Sequence, residues 1–68
     1  MYQNQIKKYR KQKGLTLAQL AEKVDSSIGY ICHLENGTRR NPSTELMVKI
    51  AKALDKNILE VFFHEEWY

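Results

Sequence analysis

Apolar side chains recur at spacings of three and four residues along most of this chain, which is the spacing of one face of an α-helix. The clearest run lies between positions 46 and 54, where the apolar positions are Leu46, Met47, Ile50, Ala51 and Leu54. The alternation of apolar and polar residues that is typical of half-buried strands does not appear. The pattern therefore predicts an all-α fold in which each helix turns one apolar face towards a shared core.

Short clusters of turn-forming residues divide the pattern into about five segments. These clusters are Gly14, Asp25-Ser26-Ser27, Asn36-Gly37, Asn41-Pro42-Ser43 and Asp55-Lys56-Asn57. The sequence predicts helices over about 3–13, 17–24, 27–36, 43–54 and 57–63. It contains no internal repeat, linker or low-complexity segment.

The second and third predicted helices form a helix-turn-helix pattern over about 16–36. Thr16 and Gln19 have the spacing of a capping box, in which each side chain satisfies a backbone N–H at the start of the helix. Ser27 can cap the third helix, because a serine oxygen accepts a hydrogen bond from the first turn. Helix pairs of this kind are common in all-α domains, so this pattern alone does not decide the function.

Chain length and cysteine content narrow the class of protein. With 68 residues and 8.0 kDa, the sequence predicts a single domain spanning 1–68. The single cysteine, Cys32, excludes an internal disulfide framework and a cysteine-rich zinc site. Its neighbour His33 points about 100° away on a helix, and no second ligand pair accompanies them, so we expect no metal and no cofactor.

No enzyme class fits the sequence. There is no nucleophile–base pair, no carboxylate pair in a predicted pocket and no glycine-rich phosphate loop. A run of about 18 apolar residues, as a membrane-spanning helix requires, is also absent. The polar start of the chain lacks the apolar stretch of a signal peptide, and we therefore expect a cytoplasmic protein.

Charge is distributed unevenly between the two parts of the chain. Residues 1–40 contain eight basic and three acidic side chains, whereas residues 41–68 contain three basic and five acidic ones. A basic half on a small domain suggests a polyanionic partner, of which nucleic acid is the commonest. The alternative is a solvated, lysine-rich helix without any partner, and charge alone does not decide between the two.

The helix-turn-helix pattern lies within a longer and more specific set of residues. The matching positions are Arg10, Leu15-Thr16, Leu20-Ala21-Glu22, Ile31, Leu34-Glu35-Asn36-Gly37, Asn41-Pro42-Ser43 and Ile50-Ala51-Lys52-Ala53-Leu54. In these residues the chain resembles the Cro/cI-type helix-turn-helix family, also called the XRE family, of phage-repressor-like DNA-binding domains. The resemblance extends from about Ile6 to Phe62, which is nearly the whole chain.

The resemblance implies a five-helix, lambda-repressor-like domain whose third helix lies in the DNA major groove. It also implies that Arg10 pairs with Glu35 and braces the first helix against the third. The sequence departs from the family at three places. Asp25 stands where the family usually has glycine, Ser26 where it has an aliphatic residue, and Leu17 where it often has glutamine. Because aspartate tolerates the left-handed conformation better than most residues, we expect the turn to be kept.

The candidate DNA-binding residues fall into two groups, because base contacts specify sequence whereas phosphate contacts position the protein. The base-contacting candidates are Ser27, Ile28, Gly29 and His33. The phosphate-contacting candidates are Thr16, Leu17, Ser26, Tyr30, Arg39 and Arg40. Three alternatives remain open: Tyr30 as a half-buried packing residue, His33 as an exposed surface histidine, and Ile28 as a residue packed inside the domain.

The sequence predicts a DNA-binding transcriptional regulator, and the favoured role is a repressor that binds a palindromic double-stranded operator as a homodimer. Alternatives with the same chemistry are a restriction–modification controller and an antitoxin-type regulator. A rival of another class is a protein-interaction antagonist module on the same fold. Nothing in the sequence indicates a small-molecule ligand.

The C-terminal helix and tail, about 57–68, are the predicted dimerisation segment. Seven of the eleven residues from Ile58 to Tyr68 are apolar or aromatic, which is more than one short helix can bury. The candidate interface residues are Ile58, Val61, Phe62, Phe63 and Trp67. The alternative is that Phe62 and Trp67 fold over the first and fourth helices and complete the core of the monomer.

Overall fold

The computed structural model describes residues 4–39 and 41–63. Within these ranges the chain forms five helices and no strand: α1 (Ile6–Gln12), α2 (Leu17–Lys23), α3 (Ile28–Glu35), α4 (Thr44–Ala53) and α5 (Ile58–Phe62). The predicted all-α, five-helix fold is confirmed. No helix in the described part of the chain is long and apolar enough to cross a membrane.

Polar side chains cap the N-termini of four of the five helices, α2 to α5. Thr16 and Gln19 form the predicted capping box, with Thr16 Oγ1 accepting from the Gln19 N–H at 3.0 Å and Gln19 Oε1 accepting from the Thr16 N–H at 2.8 Å. A second capping box, formed by Asn57 and Glu60, starts α5. This box was not predicted, although an asparagine three residues before a glutamate is its usual signature.

The turn between α2 and α3 depends on Asp25, whose φ is 57°. The Asp25 N–H donates to the Glu22 carbonyl at 3.2 Å, and the Ser26 N–H donates to the Ala21 carbonyl at 2.9 Å. This is the Schellman arrangement that ends helices in a left-handed residue. The turn is therefore kept with aspartate at the position where the family usually has glycine.

All five helices contribute to one core. The buried apolar side chains are Ile6, Leu20, Ala21, Val24, Ile31, Leu34, Ile50, Ala51, Leu54, Val61 and Phe62. Helix α2 packs against both α3 and α4, while α5 packs against α4 and α1. This packing fixes the angle between α2 and α3, and so determines which face of α3 is exposed.

The structure corrects part of the predicted dimer interface. Val61 and Phe62 are buried in the core of the single chain, so neither side chain offers an exposed surface to a second copy. For Phe62 the structure shows the alternative, in which the ring completes the core of the monomer. The Val61 carbonyl also accepts a hydrogen bond from the Gln5 N–H at 2.7 Å, which ties α5 to the start of α1. Trp67 lies outside the described residues.

Candidate nucleic-acid interface

Helix α3 has two distinct faces. Ile31 and Leu34 are fully buried against the core, whereas the four base-contacting candidates, Ser27, Ile28, Gly29 and His33, are all exposed. Ile28 is 52% exposed, so it does not pack inside the domain. The structure thus leaves all four residues accessible to solvent.

Gly29 leaves open space on this face. A Cβ atom at Gly29 would meet nothing within 4 Å apart from its chain neighbours and the backbone of its own helix, and Gly29 lies within α3. The fold therefore does not require glycine at this position. An external surface, such as the edge of a base pair, could approach the helix backbone closely there.

Ser27 combines a structural role with a position at the start of α3. Its Oγ accepts a hydrogen bond from the Tyr30 N–H at 3.1 Å and so caps the helix. The hydroxyl can still donate to an outside acceptor. The N–H groups of the first turn also point out of the helix start, where an anion is favoured.

Two phosphate-contacting candidates lie at the start of α2. Thr16 is exposed, and Leu17 is half-buried against the core. The Leu17 side chain is therefore a packing residue, and only its backbone N–H could contact a phosphate.

Ser26 is half-buried in the turn. Its backbone N–H already donates to Ala21, which removes it as a phosphate donor. Its hydroxyl is the group that remains for such a contact.

Tyr30 and Arg39 lie against each other at the other end of this surface. The Arg39 guanidinium carbon is 6.0 Å from the centroid of the Tyr30 ring, within the range of a cation–π contact. The Arg39 N–H donates to the His33 carbonyl at 3.1 Å, which joins the loop to α3. Tyr30 is half-buried and packs against the core, as its alternative assignment proposed, yet its ring also contacts the arginine. Arg40 lies outside the described residues.

A buried ion pair supports α3 from behind. Arg10 Nε is 2.6 Å from Glu35 Oε2, and Arg10 Nη2 is 3.3 Å from Glu35 Oε1. Arg10 Nη1 also donates to the Leu15 carbonyl at 2.8 Å. The pair that the family resemblance implied is therefore present, and it joins α1 and the α1–α2 connection to the end of α3.

Asn4 adds a support that the sequence analysis missed. Its side-chain amide donates to the Leu34 carbonyl at 2.8 Å, and its Oδ1 accepts from the Ile6 N–H at 3.0 Å. The available signal was an asparagine two residues before a helix, a usual place for a capping side chain. Within the described ranges no group of three or more histidine, cysteine or acidic residues could hold a metal ion.

Comparisons with known proteins agree with this geometry. A family model described as helix-turn-helix matches residues 6–61. The regulator SinR of Bacillus subtilis is 36% identical over 58 residues, which are 85% of this chain and 52% of SinR. The regulator SlrR of Bacillus subtilis is 35% identical over 57 residues, which are 84% of this chain and 38% of SlrR. The chain therefore spans about half the length, or less, of these curated relatives.

A solved structure shows the same arrangement of helices. The crystal structure of SinR in complex with DNA superimposes with a TM-score of 0.75 at 37% identity, covering 79% of this chain and 86% of that one. The residues that match the family model run from the start of α1 into α5. With its fold, its helix-turn-helix and its buried Arg10–Glu35 pair, this chain belongs to the helix-turn-helix family of Cro/cI-type regulators.

Proposed function

We propose that this protein is a transcriptional regulator that binds a specific sequence in double-stranded DNA. The observation that supports this most directly is the exposed face of α3, which presents Ser27, Ile28, Gly29 and His33 together. Relatives named as transcriptional regulators, and the SinR structure with DNA, support the same function. Those relatives are not named as enzymes, and we propose no enzymatic activity and no cofactor.

In this proposal α3 enters the major groove with its first turn closest to the base pairs. Ile28 contacts a thymine methyl group, and His33 donates to a guanine acceptor or a phosphate. Gly29 allows the helix backbone to come close to the base edges. The face lacks the arginine or glutamine that makes strong bidentate contacts, so each half-site contributes limited sequence discrimination.

Phosphate contacts would hold α3 in this position. Thr16 and the first-turn N–H groups of α2 would bind one stretch of backbone, and Arg39 with Arg40 would bind another. The Ser26 and Tyr30 hydroxyls complete the proposed set. Each neutralised phosphate releases counterions, so affinity should fall steeply with salt.

We further propose a homodimer on a palindromic operator, because one recognition helix contacts only a few base pairs. A two-fold dimer places two such helices about 34 Å apart, one turn of DNA. Two large apolar side chains of this segment are exposed on the described surface: Leu59, at 61%, and Phe63, at 41%. We therefore include Leu59 among the proposed interface residues, and we leave out Val61 and Phe62 because they are buried. Ile58, which is half-buried, and Trp67 remain candidates.

A repressor that occupies a promoter is the favoured role, and a restriction–modification controller or an antitoxin-type regulator would use the same surface. The exposed Arg39 beside α3 favours DNA over a purely protein-binding antagonist. We treat residues 1–68 as one domain. A regulator shares a compartment with its DNA, and the cytoplasm remains the proposed location.

Selection of bound sites from random double-stranded DNA tests this function and identifies the operator together. We expect an enriched palindromic sequence for the wild-type chain. His33→Ala should change or lose the enriched sequence. Lys8→Ala is the control, because Lys8 is an exposed residue of α1 that lies over the Tyr9 ring and is not among the candidate DNA contacts. Enrichment of no sequence by the folded wild-type chain would contradict the proposal.

A further inference from the structure

A second basic surface lies between the end of α2 and the second half of α4. It is an open groove of about 340 Å³, lined by Lys23, Lys49, Lys52 and Ala53. We refer to these four residues as the lysine groove. No residue of α3 or of the Arg39 loop lines it, so it is separate from the proposed DNA surface.

The lysine groove holds positive charge that the described part of the chain leaves largely uncompensated. Lys23 and Lys52 have no carboxylate within 4 Å among residues 4–39 and 41–63. Lys49 has one, Glu45, at 3.8 Å in an exposed i,i+4 pair, and such pairs contribute little. Among residues 4–39 and 41–63, the three ammonium groups of the groove therefore have one weak partner, Glu45.

The nearest acidic residue past the end of α4 does not neutralise the groove. The carboxylate of Asp55 is paired with Lys13. The hydrogen bond from Lys13 is the main cause of the lowered pKa of Asp55, and the charges of Lys13, Lys23 and Lys56 add to it. Three lysines, Lys13, Lys23 and Lys56, thus act on a carboxylate that already has a partner.

Position along α2 separates the lysine groove from bound DNA. Thr16 caps the start of α2, while Lys23 is its last residue. Seven helical residues place these two ends about 10 Å apart at 1.5 Å per residue. A chain bound to DNA through α3 and the start of α2 would still expose the groove.

The form of the groove indicates the kind of ligand. Ala53 adds a small apolar side chain to the lining, and lysine stems add apolar surface beneath their charged ends. The groove is shallow and is lined by four side chains, which is the size of a short segment of polypeptide. An extended acidic peptide can place carboxylates beside the ammonium groups and its stems along the walls.

We propose that the lysine groove is a docking site for an acidic segment of a partner protein, bound through two or three closely spaced carboxylates. Charge complementarity of this kind steers association and discriminates between partners. The site acts independently of the DNA surface, so partner and operator can be bound at the same time.

A labelled peptide of ten glutamates serves as the probe, with binding to the full chain followed by fluorescence anisotropy. The groove variant is Lys49→Gln/Lys52→Gln, and the matched control is Lys7→Gln/Lys8→Gln, which removes the same charge from α1. We expect the groove variant to weaken peptide binding by about tenfold and the control by less than about threefold. Affinity for duplex DNA should be the same in both variants.

Three results would overturn the proposal. An equal loss of peptide affinity in the groove variant and in the control variant would mean that the peptide responds only to the net charge of the chain. A larger loss of duplex binding than of peptide binding in the groove variant means that the groove belongs to the DNA surface. Absence of peptide binding by the wild-type chain at low salt removes the site altogether. Circular dichroism checks that each variant is folded, and Lys23→Gln provides a second groove variant.

Discussion

Arg10 of α1 and Glu35 of α3 form a bidentate ion pair in which both side chains are at most 10% exposed. The two residues are 25 positions apart in sequence. Their ion pair joins α1 to the end of α3, the helix that carries most of the base-contacting candidates. Arg10 also holds the Leu15 carbonyl. One arginine thus fixes α1, the α1–α2 connection and α3 relative to one another.

Breaking this pair on one side should be costly, because it leaves a buried charge without its partner. We expect Arg10→Ala or Glu35→Ala to lower the free energy of unfolding by about 3–5 kcal/mol. A domain of this size has only about 5 kcal/mol to lose, so urea denaturation should find either variant largely unfolded. The double variant Arg10→Met/Glu35→Leu should be clearly more stable than each single variant. Single variants as stable as the wild type would contradict a structural role for the pair.

Asp25 occupies a left-handed position that glycine adopts more easily. The left-handed conformation costs a residue with a Cβ about 1–2 kcal/mol, whereas the extra chain entropy of glycine costs about 0.5–1 kcal/mol. We therefore expect Asp25→Gly to raise the free energy of unfolding, measured by urea denaturation, by about 0.5–1 kcal/mol. Asp55→Gly is the informative comparison. Asp55 has nearly the same φ, 58°, but glycine there also removes the ion pair with Lys13. Asp55→Gly should therefore raise the free energy of unfolding by less than Asp25→Gly does. An equal increase in the two variants would show that the Lys13–Asp55 pair contributes nothing to stability.

The ion pair between Lys13 and Asp55 should make the free energy of unfolding depend on pH in the acid range. Because the pKa of Asp55 lies below its ordinary value of 3.8 in the folded chain, the carboxylate stabilises the fold above that value. The contribution is lost as pH falls below 3.8 and through the folded-state pKa. Between pH 7 and pH 2, the midpoint temperature of thermal unfolding should fall less in Lys13→Gln than in the wild type. High salt should reduce the difference, since both groups are at the surface.

Tyr30 and Arg39 offer a way to separate the two roles that the tyrosine could have at DNA. Arg39→Ala should weaken binding to all sequences and flatten the slope of log affinity against log salt by about one unit. If the ring positions Arg39, Tyr30→Phe should retain most of the affinity for DNA, whereas Tyr30→Leu should lose it. The double variant Tyr30→Leu/Arg39→Ala should then bind DNA no more weakly than Arg39→Ala alone. If Tyr30→Phe alone loses the affinity, the hydroxyl contacts DNA directly.

Leu59 and Phe63 provide the test of the proposed dimer. We expect Leu59→Glu and Phe63→Glu each to shift the chain towards monomer in light scattering, because a charge would be buried at the interface. Operator affinity should fall by about tenfold or more. Gln12→Glu, at an exposed position of α1, adds the same charge elsewhere and should change neither property. A wild-type chain that is monomeric on its operator would exclude the dimer.

Local features of this protein could be predicted from the sequence, since they depend on residues a few positions apart. The Thr16–Gln19 capping box, the serine cap of α3 and the left-handed turn at Asp25 all involve neighbours within five residues. Apolar spacing, together with the turn-forming clusters between the segments, was enough to predict the five helices. The Arg10–Glu35 pair is different, because only the family resemblance implied a contact over that distance.

Contacts between helices could be decided only by the tertiary structure. Four of the five residues of α5 are apolar, so its own pattern could not say that Val61 and Phe62 face the core while Leu59 and Phe63 are exposed. That choice is made by α1 and α4, against which α5 packs. The lysine groove arises in the same way, because α2 and α4 bring Lys23 beside Lys49 and Lys52 across more than twenty positions of sequence. Periodicity in a sequence shows which residues share a helix face, whereas only the packing of helices determines which faces meet.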